Sequence, residues 1–150
     1  MSITMSDCEL DAFLQQTFTG TVISINPDGV PLPTPVWFAN RGSQVFFSTM
    51  RKTQKAKNLQ RDPRCVVQCE AGATYFELRA AILTGKVREA SEDEASWFQA
   101  ARAEKYALSP QTQEKMPEAA KRHYDNPRIV FCLEAERVKT WDNRKLRKAQ

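Results

Sequence analysis

A mainly β (α+β) domain, with antiparallel strands wound into a barrel, is the fold class that the 150-residue sequence predicts. Three observations lead to it. Five or six short apolar runs are bounded by Gly, Pro, Asn or Asp turn signals, the mark of hairpins and so of antiparallel pairing. Few segments carry helical spacing. So many short strands with so little helix to cover them favour closure, which removes exposed edges. The length is that of one domain, 1–150, and is enough for a core without disulfides or metals.

The elements follow in order. Asp7 to Gln16 is a short helix, with Leu10, Phe13 and Leu14 on one face and Ser6 or Asp7 as cap. "TGTVISI" is a strand leading into "NPDG", where Asp28-Gly29 signals a hairpin. "TPVWFA" is the next run and ends at the Gly turn "NRGS"; "QVFFST" follows. Thr53 caps a helix that runs to about Arg61 and stops at Asp62-Pro63. "RCVVQCE" is a strand ending at "AGA". Tyr75 to Val87 reads as one long strand, with Tyr75, Glu77 and Arg79 on one side and a bulge at Gly85. A helical insertion, about 89–126, opens with the capping box Ser91/Glu94 and has further helix starts at Ser109-Pro110 and Met116-Pro117. Arg128 to Trp141 is the last strand, and the tail "DNRKLRKAQ" is basic.

Composition narrows the function classes. With 41% hydrophobic and 27% charged residues the chain is globular, and its net charge of +4 and pI near 9.0 suit an anionic ligand. No apolar run reaches the ~20 residues of a membrane span, and the first residues lack the basic-then-apolar order of a secretory leader. A cytoplasmic protein with no membrane partner is expected. Cys65 and Cys69 stand roughly 13 Å apart along a strand, too far for a disulfide, so packed, reduced thiols are expected. His123 is the only histidine and the cysteines are scattered, which leaves no support for a metal site. A Ser-His-Asp triad lacks its strained GxSxG turn. Aromatic residues do not interleave with the basic ones, so nucleic acid is not an expected partner.

The segment "FFSTMRKTQKAKNLQRDPR" changes from apolar strand to a run of cations with almost no acid. On a helical wheel Ala56 and Leu59 form the buried stripe, Lys52 and Lys55 flank it, and Lys57 and Arg61 point away. Ser48, Thr49 and Arg51 precede the helix, and hydroxyls, helix-start N–H groups and cations make a phosphate cradle. A solvated basic helix has the same composition. No P-loop glycine pattern is present, which argues against a nucleoside triphosphate.

This segment resembles the pyridoxamine 5′-phosphate oxidase-like split-barrel family, which binds flavins and deazaflavins. "DGVPLPTPVWF" resembles that family's second strand, "ATYFELRAAILTGKVREA" its long strand, and "RVKTWDNRKL" the end of its actinobacterial deazaflavin-dependent branch. The resemblance implies a six-stranded antiparallel split barrel that forms a homodimer with cofactor sites at the subunit interface. It implies that Ser48, Thr49 and Lys55 hold the cofactor phosphate, with Arg51 and Lys57 as further anionic contacts. Thr34, Pro35, Val36 and Trp37 would lie along the ring, and Trp141 and Arg144 would come from the partner subunit. Cations spread over Lys57, Arg61 and the tail favour the long anion F420, with FMN as the alternative. The activity implied is an F420- or flavin-dependent oxidoreductase that passes a hydride between the cofactor and a small conjugated substrate. The alternative is a non-catalytic protein that binds or carries a cofactor or haem. No residue stands out as catalytic.

Overall fold

The computed structural model describes residues 2–107, 117–124 and 126–149. Its body is one seven-stranded antiparallel sheet: β1 (Gly20–Ile25), β2 (Pro31–Val36), β3 (Phe38–Arg41), β4 (Gln44–Met50), β5 (Arg64–Ala71), β6 (Arg79–Glu89) and β7 (Arg128–Asp142). The helices among the described residues are α1 (Asp7–Gln16), α2 (Gln54–Arg61), α3 (Glu92–Ala107) and α4 (Glu118–Tyr124). No described helix is long and apolar enough to cross a membrane.

The spatial order is β2-β1-β5-β6-β7-β4-β3. Its two edge strands, β2 and β3, are consecutive in the chain and separated only by Trp37. Opposite edges of one sheet can lie a single residue apart only if the sheet curls until they meet. The result is a half-barrel split along one seam, mainly β as the sequence predicts, but with seven strands rather than six. The additional strand comes from "TPVWFA", which breaks at Trp37. The part before it pairs with β1 and the part after it with β4. Pro31, Pro33 and Pro35 keep the seam open. Alternate residues of a strand aim their N–H groups at the same edge, so all three missing donors fall together, on the edge away from β1.

Local chemistry sets the turns and caps. Ser6 and Glu9 form a capping box at α1, with Ser6 N–H donating to Glu9 Oε2 at 2.7 Å. In the β1–β2 turn Gly29, at φ 85°, donates its N–H to Asn26 O at 2.9 Å. Ser91 and Glu94 cap α3 reciprocally. Pro117 stands immediately before α4, while Ser109-Pro110 and Met116 lie outside the described residues.

The long strand starts later than the sequence predicts. Tyr75–Glu77 is a turn of 3-10 helix, closed by Leu78 N–H on Thr74 O (3.0 Å) and by Asn143 Nδ2 on Tyr75 O (2.8 Å). Tyr75 and Glu77 therefore share no strand face with Arg79, whose guanidinium lies over the Phe13 ring at 5.2 Å. The predicted irregularity at Gly85 is present, as a register shift against β7.

Two apolar clusters hold the molecule together. Leu10, Phe13 and Leu14 of α1 and Ala56 and Leu59 of α2 fill the barrel interior with Val22, Phe38, Phe47, Leu83 and Leu133. Outside, α3 lays Phe98 and Trp97 over Phe46 and Cys132. Cys65, Cys69 and Cys132 are buried, Cys8 is exposed, and all four are free.

A Cβ at position 85 would run into the Glu134 carbonyl of β7. Gly85→Ala is therefore expected to lower unfolding free energy by about 2–3 kcal/mol, read from the urea midpoint at unchanged m-value.

Candidate functional site

Strand alternation decides what each residue after Phe46 can reach. On β4, Val45, Phe47 and Thr49 turn inward and Phe46, Ser48 and Met50 turn outward. The chain then turns into α2 through Thr53, whose Oγ1 accepts from Ala56 N–H at 3.2 Å and donates to Met50 O at 2.9 Å. This cap brings Lys55 to the end of β4. The β4–β7 register sets Arg128 opposite Met50, and Arg128 Nε donates to Ser48 Oγ at 3.3 Å.

A cavity of about 440 Å³ opens here, at the size of small-molecule and cofactor sites. Its apolar wall is Pro35, Val36, Trp37 and Met50; its polar end holds Ser48, Thr53, Lys55 and Arg128. Arg102 of α3 and His123 of α4 also line it, so the helical insertion forms part of the enclosure. No carboxylate lines the cavity among the described residues. The Lys55 ammonium is held below its usual range, first by burial and then by the nearby Arg128 charge. An anion would relieve both effects, and the wall beside it can receive a flat apolar group.

Of the residues singled out in the sequence, Pro35, Val36, Trp37, Ser48, Thr49 and Lys55 come together here. Thr49 differs from Ser48. It is only 4% exposed, and its hydroxyl lies 2.9 Å from Thr53 Oγ1. Because Thr53 spends its proton on Met50 O, Thr49 is the donor, which leaves Ser48 as the outward hydroxyl. Thr34 donates to Val22 O at 3.5 Å and does not line the cavity. Arg51 pairs with Glu89 at 3.2 Å beside a second hollow of about 380 Å³, formed with Met50, Lys52, Thr53, Asn126 and Pro127. Lys57 is exposed on the outer face of α2. Trp141 and Arg144 stand at the opposite end of β7 from Arg128, and Arg144 is held on Asp142 at 2.6 Å. Arg61 is exposed, as the wheel implies, but its guanidinium folds back and donates to the Ile25 carbonyl and to Asn58 Oδ1.

Sequence reasoning missed Arg102, His123 and Arg128 as lining residues, and Asn58 as the anchor of α2, the helix that carries Lys55. Asn58 is fully buried and donates to Ser24 Oγ (3.1 Å) and Asn26 Oδ1 (2.9 Å), tying α2 to the first hairpin. The signal for Arg128 was its place at the start of a strand pairing with β4. The others depend on packing between distant segments.

The seam beside the cavity is latched by the end of α3. The Tyr106 ring stacks on Trp37 at 4.3 Å and 13°. Its hydroxyl accepts from Phe38 N–H at 2.9 Å and donates to Phe18 O at 2.5 Å. Lys105 Nζ donates to Leu14 O (3.0 Å) and Phe38 O (3.2 Å), and burial pushes its pKa down to about 8.

With this geometry in view, the comparisons with known proteins become specific. A family model described as pyridoxamine 5′-phosphate oxidase matches residues 6–142. The chain belongs to the pyridoxamine 5′-phosphate oxidase family. Conserved hypothetical protein Rv2991 from Mycobacterium tuberculosis is 34% identical to this family member, with a TM-score of 0.79 over 97% of this chain and 89% of that one. A heme binding protein from Mycobacterium smegmatis is 19% identical, with a TM-score of 0.67 over 93% of this chain and 59% of that one. An F420 reductase is 20% identical, with a TM-score of 0.64 over 86% of this chain and 94% of that one. The last two likenesses show the shared fold. No curated protein matches the chain significantly.

For this pyridoxamine 5′-phosphate oxidase family protein, Tyr106→Phe leaves a buried Phe38 N–H without its acceptor. The expected loss is about 1–3 kcal/mol of stability, measured by urea denaturation, with increased amide exchange at Phe38 as the local sign.

Proposed function

We propose that the cavity binds F420, with FMN as the alternative, and that the protein is an oxidoreductase acting on a small conjugated substrate. The observation that carries this reading is the cavity's composition: Lys55, Arg128 and Ser48 at one end, an apolar wall with Trp37, and no carboxylate among the described lining residues. A phosphate fits the cationic end, through charge-assisted hydrogen bonds, and a fused ring fits the wall. The bound cofactor would supply hydride chemistry; the acceptor gains that hydride and a proton from solvent. The residues of this chain bind and orient.

Two features bear on the choice between cofactors. Arg61 is engaged by Ile25 and Asn58, so it no longer supports a longer anion. Arg51 and Lys52 border the second hollow, which shares Met50 and Thr53 with the cavity, and this room beyond the phosphate end favours F420. In this reading the protein works as a homodimer, with Trp141 and Arg144 reaching the partner subunit's site. It is taken to act in the cytoplasm.

A second reading, haem binding without catalysis, has one observation in its favour: His123, a residue type that ligates haem iron, lines the same cavity. A Soret band on adding haemin, lost in His123→Ala, would select it.

Titration with F420 and FMN, followed by fluorescence and melting temperature, tests the main reading. The matching cofactor at a hundred times its dissociation constant is expected to add about 2.7 kcal/mol of stability. Lys55→Ala should weaken binding by about tenfold or more, whereas Arg61→Ala should lower the melting temperature and leave the dissociation constant unchanged. Failure of both cofactors to bind, or equal losses in the two variants, refutes it.

A further inference from the structure

Resting on that reading, we propose that Arg102 binds an acidic group of the substrate, so that the acceptor is a small conjugated molecule bearing a carboxylate. The cations around the cavity fall into two groups. Lys55 and Arg128 are electrostatic neighbours and share the end marked by Ser48. Arg102 belongs elsewhere. It lies one helical turn before Tyr106 on α3, and it is a charge neighbour of the Tyr106 hydroxyl. Tyr106 in turn stacks on Trp37, in the apolar wall. Arg102 therefore lies on the Trp37 side of the cavity rather than at the end marked by Ser48 and Lys55, which leaves it to a second molecule when that end holds the cofactor's anion.

Its present partner is weak. Arg102 Nη2 donates to Gln99 Oε1 at 3.0 Å, a neutral amide, and no ion pair engages it among the described residues. The side chain is partly buried and borders the cavity. A guanidinium in this setting matches a carboxylate in two parallel hydrogen bonds, a geometry that a single-point ammonium does not offer. His123, the other residue that the insertion contributes to the lining, adds a second donor for the same group. One element thus carries both the seam latch and the recognition of the acceptor, while β4 and α2 hold the cofactor's anion.

The test uses the protein loaded with FMN or F420 and two probes, 4-nitrobenzoate and its methyl ester, titrated by cofactor fluorescence. The acid should bind the wild type about tenfold or more tightly than the ester. Arg102→Gln should erase that difference while changing cofactor affinity by less than about threefold, and Arg102→Lys should keep part of it. Equal affinities for acid and ester in the wild type overturn the proposal, as does failure of both probes to bind. It is also overturned if Arg102→Gln loses the cofactor as Lys55→Ala does, because Arg102 would then serve the cofactor's own anion. If neither FMN nor F420 binds the wild type, it is the functional reading that fails; loss of acid preference in a loaded protein removes only this inference.

Discussion

The seam at Trp37 constrains everything around it. Two edge strands that belong to opposite ends of a seven-stranded sheet are joined by one residue, so curvature of the sheet is enforced covalently. The prolines of β2 prevent that seam from closing as an ordinary ladder. What remains is a gap with unpaired backbone groups, and a buried unpaired N–H or C=O costs on the order of a hydrogen bond or more. Tyr106 and Lys105 meet that need with side-chain atoms bonded to Phe18, Phe38 and Leu14. The insertion is thus part of the structural logic of the barrel. The same seam that must be sealed is the apolar wall of the cavity, which couples the fold's weakest line to the site.

Charge distribution gives the cavity its chemical character. Elsewhere on the described surface five cations are paired with carboxylates: Arg51 with Glu89, Arg64 with Asp62, Arg88 with Glu94 and Glu134, Arg144 with Asp142, Lys145 with Glu9. Exposed pairs of this kind contribute little stability, but they do neutralise local potential. The described residues that line the cavity include Lys55, Arg102 and Arg128 and no carboxylate. Partial burial makes that potential stronger than it would be in open water, as the lowered Lys55 pKa reflects. The protein meets part of this electrostatic cost through its core. Asn58 anchors α2, and therefore Lys55, to the β1–β2 hairpin through two side-chain bonds, one buried and one part-buried.

Much of the architecture was legible because local rules and global packing agree. Ser6, Thr53 and Ser91 cap the helices they were read as capping, and Gly29, Gly42 and Gly85 mark the turns and the bulge. The failures have physical causes. "TPVWFA" has the pattern of one strand, and only the completed sheet reveals that its halves pair with different neighbours. Tyr75–Glu77 alternates like a strand, but Asn143, distant in sequence, captures the Tyr75 carbonyl and stabilises a tight turn. Arg61 points outward on an isolated helix, yet its long side chain reaches back to β1. Ser48 and Thr49 form a hydroxyl pair in the sequence, although strand alternation alone separates their faces. Arg102 and His123 came from an insertion whose position on the barrel no local pattern encodes.

That distribution of legible and illegible residues follows the division of labour within the site. Apart from Arg128, which β7 sets beside β4, the cationic end is built from a strand, its following turn and the first turn of a helix, contiguous in sequence, so a short motif announces it. The opposite side is assembled from α3 and α4, and the contacts that position it run to Trp37, Phe38 and Phe18. A change within α3 that preserves Tyr106 leaves the seam latched while altering what Arg102 presents to the cavity. Barrel and anion end can therefore stay fixed while the insertion varies, and selectivity for the second molecule is the property most free to change without loss of fold.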